Sequence, residues 1–283
     1  MNSRREPMSV VAMLQGTPET DVETTRSALA MAQKLGTSLV GLCALPDPQA
    51  AVMLVTTPES TGLTAAAATN IIELQKEMLE KAEAAFRQGV GVTPGVESVF
   101  LHQVANAEAA AASAATLADA IIFPRNAARS GEPLSIAFDH VMMDARLPLV
   151  LAGTAAYTPG PVIIGWDGSN GAARALRFHI PLLKAAGEVI IAQNRKDAER
   201  DGARPGIEPG SLEDWLKRKG IKSSVSPIEG EVSAALLALA KGSGATLIVA
   251  GAYGHSRIGE RLFGGTSKRL LSADEAPALA LAR

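Results

Sequence analysis

Val162-Ile163-Ile164-Gly165-Trp166-Asp167-Gly168-Ser169 reads as a buried strand that runs into a polar-glycine-hydroxyl turn. Val10-Val11-Ala12-Met13-Leu14-Gln15-Gly16-Thr17 repeats that plan near the start of the chain. Internal repetition of a strand and its turn means one unit built twice. A helical pattern follows each copy, over 21–35 and 171–186, and each closes near a glycine, Gly36 or Gly187. Second strands follow at 38–44 and 188–193, third strands at 95–100 and 222–228, and third helices at 108–117 and 231–241. Ala120-Ile121-Ile122-Phe123 and Thr246-Leu247-Ile248-Val249 give the fourth strands, and 147–152 and 278–282 the fifth. The middles differ: a helix over 65–88 follows a Pro/Thr/Gly-rich loop at 46–64, whereas a shorter helix over 211–219 follows a polar loop at 195–209.

Alternating strands and helices imply βαβ units on a parallel sheet, and continuous apolar strands imply helices on both faces. The expected fold is therefore α/β: two tandem doubly wound domains, 1–153 and 160–283, joined by a Pro/Gly-containing linker at 153–161. Apolar residues make up 47% of the 283, enough for a substantial core, and only 4% are aromatic, so Ala, Val, Leu and Ile must fill it.

The formal net charge of −2, with acids and bases interspersed, lacks the basic footprint of a nucleic-acid binder. No run approaches the roughly 20 apolar residues of a membrane helix. Arg4 and Arg5 precede an apolar stretch, but it is short and ends at Gln15-Gly16-Thr17 without an export-type cleavage site. The lone Cys43 cannot form an internal disulfide and sits in an apolar run as a core residue. These features predict a cytoplasmic protein with a small-molecule or protein partner.

Ligands of open parallel sheets sit beyond the carboxyl ends of the strands, where strand order reverses. Two segments of the second half have that position. One is Asp167-Gly168-Ser169. The other runs from Gly251-Ala252-Tyr253-Gly254 to Gly264-Gly265-Thr266-Ser267. Glycines after a buried strand let backbone approach a ligand closely. Gly264, Gly265, Thr266 and Ser267 open the last helix, whose unpaired N–H groups favour an anion, and the two hydroxyls add donors. Asp167 would repel phosphate but can accept from ribose hydroxyls or an adenine amino group. Base and sugar would then lie near Asp167, and phosphates near Gly264. As a plain alternative, Asp167 is a helix N-cap and the glycine loop an ordinary βα turn.

The spacing Gly251-x2-Gly254-x9-Gly264, with Phe263-Gly264-Gly265-Thr266 and with Asp167-Gly168-Ser169 after strand one, resembles the ATP-binding signature of the universal stress protein family. That resemblance implies a five-stranded parallel sheet of order 3-2-1-4-5 in each half, with ATP, with or without Mg2+, across the switch point. It also implies a dimer-like arrangement in which the last strands of the halves meet, and a stress-response regulator rather than a fast enzyme. Asp167 would take the adenosine end, Asn194 would offer backbone contacts to adenine, and Gly251, Gly254, Gly264, Gly265, Thr266 and Ser267 would take ribose and phosphates. Gly265 stands where the family often has Ser or Thr, which removes one hydroxyl contact.

The first half departs further: Gln15 replaces the Asp, Pro124-Arg125-Asn126-Ala127-Ala128-Arg129 carries no glycine pair, and Asp139 would meet a phosphate. It reads as a degenerate partner. His255 follows the glycine turn, but His102, His140 and His179 show no ligand spacing, so neither a catalytic residue nor a metal site is assigned. The rival readings are a slow ATPase or phosphoryl- or nucleotidyl-transferring enzyme, against which the missing Walker lysine counts, and a scaffold without ligand. A homodimer is a further expectation, and the 46–64 loop reads either as a lid or interface arm or as plain disorder.

Overall fold

The computed structural model describes residues 9–47, 61–194, 208–252, 269–271, 273 and 275–283, with side chains from residue 69 onward in the helix that begins at Thr61. Ten strands form one sheet: β1 (Ser9–Leu14), β2 (Ser38–Leu45), β3 (Ser98–Val104), β4 (Ala120–Phe123), β5 (Leu149–Leu151), β6 (Val162–Gly165), β7 (Val189–Asn194), β8 (Ser223–Ile228), β9 (Leu247–Gly251) and β10 (Ala278–Ala282). Their spatial order is β3-β2-β1-β4-β5-β10-β9-β6-β7-β8. Each half thus runs 3-2-1-4-5 with all its pairings parallel. The halves join by one antiparallel pair, with Leu279 opposite Leu151, Ala280 opposite Val150 and Leu281 opposite Leu149.

Helices cover both faces, because nearly every central strand residue is apolar and must be buried on whichever side it points. One face carries α1 (Pro18–Leu35), α2 (Thr61–Val90), α5 (Asn170–Phe178), α6 (Ile180–Ala185) and α7 (Pro209–Arg218). The other carries α3 (Ala107–Ala115), α4 (Ser135–Asp139) with the π turn His140–Asp144 that continues it, and α8 (Val232–Ser243). α1 starts with Pro18 in its first turn and stops at Gly36, whose φ of 67° is the left-handed cap that glycine accepts without strain.

Two expectations shift. The helix expected over 171–186 breaks at His179, because Pro181 has no N–H to continue the ladder. His179 is buried there, and burial pushes its pKa down to about 4; its neutral ring meets the Leu281 carbonyl through Nε2 at 3.3 Å. The third strand starts at Ser98 rather than 95, since Gly95 adopts φ 88° in a turn. The linker is tied to both halves. The Tyr157 N–H donates to Ser27 Oγ of α1 at 3.0 Å, and the Thr154 N–H donates to the Ala276 carbonyl at 3.0 Å.

α2 dominates the first half. Its 30 residues span about 45 Å, while the eight-residue β2 spans about 26 Å, so the helix overshoots the carboxyl ends of the strands. It is seated by Phe86 lying on Gly41 of β2, where an added Cβ would collide with the ring. Gly41→Val should therefore lower unfolding free energy by about 1–3 kcal/mol, measured as a shifted urea midpoint at constant slope.

Candidate functional site

β6 and β9 are neighbours, and from them the chain leads away to β7 on one side and β10 on the other. Their carboxyl ends are thus the switch point of the second half, where a crevice opens between diverging connections. β6 leads through buried Trp166 into exposed Asp167, then Gly168 with φ 72° and Ser169. Asp167 Oδ1 accepts from the Ser169 N–H at 2.9 Å, and Ser169 Oγ accepts from the Ala172 N–H at 3.1 Å. Ser169, not Asp167, is therefore the N-cap of α5. Asp167 holds the turn and stays exposed to solvent.

Gly251 ends β9 directly against the first turn of α5. A Cβ there would lie 2.5 Å from the Ala172 nitrogen and 2.6 Å from the Gly171 carbonyl carbon, so only glycine fits. Ala252 is buried beside it and its N–H donates to the Ala282 carbonyl at 2.9 Å. Asp167, Gly168, Ser169 and Gly251 are thus brought together at the mouth of the switch point. Asn194 is the last residue of β7 rather than a residue just past it. Its Nδ2 donates to the Gly230 carbonyl at 3.0 Å, tying β7 to the turn before α8. Gly254, Gly264, Gly265, Thr266 and Ser267 lie outside the described residues, as do His255 and the greater part of 46–64.

The chain that follows those positions is firmly seated. Leu270 and Leu271 are buried, and Arg269 pairs with Glu231 at 3.3 Å. Glu231 caps α8 by accepting from Ser233 and Ala234, and the Ser233 hydroxyl above all holds its carboxyl down at about 2. From the first half, Arg125 donates to the Leu270 carbonyl, to the Pro277 carbonyl at 3.5 Å and to the Ala152 carbonyl at 3.4 Å. Burial lowers its pKa to about 10, which still leaves it charged at neutral pH. Thus the position that follows strand four in the first half serves as a rivet between the halves.

The first-half switch point, between β1 and β4, is filled by the chain itself. Asp21 is fully buried and its carboxylate accepts from the Gly16 N–H at 2.8 Å and the Gln15 N–H at 3.1 and 3.2 Å. Main chain of α2 at Met78 lies over Gly16, 2.9 Å from where a Cβ would stand. In the matching register of the second half, Ala173 stands where Asp21 does, and among the described residues nothing accepts from the Asp167 or Gly168 N–H. Asp21 and Arg125 went unnoticed in the sequence reading. The signal for Asp21 was an acid on α1 where the repeat has alanine; Arg125 gave none, because its acceptors lie as far as 152 residues away.

The architecture defines a doubly wound α/β protein with a switch point in each half. Residues 160–280 match the universal stress protein family model. Solved structures extend the likeness of fold to the whole chain. A universal stress protein from Archaeoglobus fulgidus DSM 4304 superposes with a TM-score of 0.59 at 16% identity, over 97% of this chain and 98% of that one. A protein described as a universal stress protein from Pseudomonas aeruginosa UCBPP-PA14 gives 0.52 at 15% identity, over 99% and 95%. No curated protein matches the sequence. Among the described residues no cluster of metal-ligating side chains occurs, and no helix is long and apolar enough to cross a membrane.

Asp21 supplies a pH test of the filled crevice. Desolvation by burial raises its pKa to about 6 despite the backbone N–H groups, so the folded state holds a proton that the unfolded chain releases near pH 4. Its contribution to stability is complete below about pH 4 and is lost as pH rises through about 6, by roughly 2–3 kcal/mol. The stability difference between the native protein and Asp21→Asn should shrink over that window in urea titrations, and the Asp21 carboxyl carbon should titrate near pH 6 by NMR.

Proposed function

We propose that this protein is a stress-response regulator that binds one adenine nucleotide, ATP with or without Mg2+, in its second half. The first half is a partner that has lost its own site, which assigns 1–153 and 160–283 different roles within one sheet. The observation that carries the reading is the asymmetry of the two strand-one turns. One has its N–H groups taken by Asp21 and its glycine covered by α2. The other keeps an exposed Asp167 beside Gly168, with Gly251 holding β9 and α5 close together.

In this reading Asp167 accepts from a ribose hydroxyl or the adenine amino group, and Asn194 lies by the base. Gly254, Gly264, Gly265, Thr266 and Ser267 receive the phosphates through backbone N–H groups and two hydroxyls. Binding acts as a switch only so far as ATP favours one arrangement of the protein over another.

Calorimetric titration with ATP tests this. Asp167→Ala should weaken binding by about tenfold or more, the loss of one charge-assisted hydrogen bond, while the Ser169 cap keeps the melting temperature nearly unchanged. Absence of both binding heat and nucleotide released on denaturation would leave a scaffold. Steady ADP production, lost in Asp167→Ala, would make the protein an enzyme.

A further inference from the structure

The ten-stranded sheet ends on β3 at one side and β8 at the other. The two edges occupy equivalent places, because Val10 opposite Leu39 corresponds to Val162 opposite Val189 in the pairing of each half. Carrying that register outward sets Val99 against Ser224, Leu101 against Ser226 and His102 against Pro227. The comparison is a control built into the chain, since the same backbone position has been filled twice.

β8 is a protected edge. Pro227 removes a donor, and the serines offer the sheet face nothing apolar. β3 has none of these devices. Its seven residues, Ser98-Val99-Phe100-Leu101-His102-Gln103-Val104, contain no proline, no lysine and no carboxylate, and all seven are in register with β2. Val99 is 42% and Leu101 48% exposed, beside Val40 and Leu42 on the face that α3 covers farther in. Because serine serves at both positions in the other half, the fold does not require apolar residues there.

The backbone of β3 is equally open. The Glu97 carbonyl accepts from Leu39 and the Ala105 N–H donates to Leu45, so odd-numbered residues face β2. Strand geometry then turns the N–H and C=O groups of Ser98, Phe100, His102 and Val104 outward.

We propose that β3 is a homodimer interface, pairing antiparallel with β3 of a second copy about a two-fold axis at Phe100. An isologous pair requires a self-complementary strand, and this register provides one. Phe100 exchanges both hydrogen bonds with the partner's Phe100, Ser98 stands opposite the partner's His102, and Val99 lies opposite the partner's Leu101. Glu97 meets the partner's Gln103, so no like charges oppose each other. The join repeats the device that unites the halves, where β5 and β10 meet antiparallel through apolar side chains. It makes one continuous sheet of two chains and lies at the sheet edge, away from the second-half switch point between β6 and β9.

Sedimentation equilibrium of the full chain tests this, with Val99→Ser/Leu101→Ser and His102→Pro as variants copied from β8. The native protein should dimerise in the micromolar range. Each variant should raise the dissociation constant by about tenfold or more with unchanged circular dichroism and melting temperature. The Phe100 and His102 amides should gain hydrogen-exchange protection with protein concentration only in the native chain. Should His102→Pro unfold, the double serine variant carries the test alone. A native protein that stays monomeric overturns the proposal, including one whose Phe100 amide is protected at every concentration by another part of its own chain. So does a dimer whose affinity the serine variant leaves unchanged, or an edge that pairs only with an added peptide from another protein.

Discussion

The β5–β10 pair is the constraint on which the rest depends. Each half alone would end its sheet on a short apolar strand, Leu149–Leu151 or Ala278–Ala282, with every side chain buried in the assembled protein. Exposed, either strand would be an aggregation edge; paired, both disappear into the middle of a ten-stranded sheet. Only three residue pairs make the ladder, so the junction draws on contacts beside it. Arg125 reaches two carbonyls across it, those of Leu270 and Pro277, and the Ala152 carbonyl on its own side, Thr154 and Ala276 exchange hydrogen bonds, and Arg283 reaches Met143 Sδ. A buried guanidinium is costly unless its donors are used, and carbonyl oxygens at the junction take those of its two terminal nitrogens, while Nε is buried without a partner.

Joining two copies of one plan relaxes the demands on each. A crevice is needed only where ligand chemistry is carried out, and the other can be filled in favour of stability. The first half fills its crevice with a carboxylate from α1 and a backbone segment from α2. Asp21 occupies the turn amides as an external acceptor would, and its burial is tolerable because those amides partly repay desolvation. The second half has alanine at that place and a shorter α7 in place of the overshooting helix. The same relaxation is visible at the sheet edges, where one strand is blunted by proline and serine and the other is not.

Much of this was legible in the residues. Continuous apolar strands separated by helical patterns gave the fold class and, through the repeat, two halves of equal topology. The pattern located all ten strands to within a few residues, since burial on both faces leaves an unbroken apolar run. The third strand of the first half was misplaced because Val96 extends its apolar pattern beyond a turn at Gly95. The helix after β6 was drawn too long because Pro181 suits the first turn of a new helix as well as it ends an old one. Asp167, Gly168, Ser169 and Gly251 could be nominated because glycine and short polar side chains after a strand have few other uses.

The sequence by itself determined the strand-and-helix order, the repeat and the turn residues, because periodicity and backbone chirality act locally along the chain. Tertiary structure alone decided the antiparallel register in which the last strands of the halves meet, that Arg125 binds them, that Asp21 closes one crevice and that Ser169 rather than Asp167 caps α5. Each of these depends on which hydrogen-bond acceptor or packing surface arrives from a distant segment. A donor such as Arg125 carries no mark in the sequence of the carbonyls it will meet.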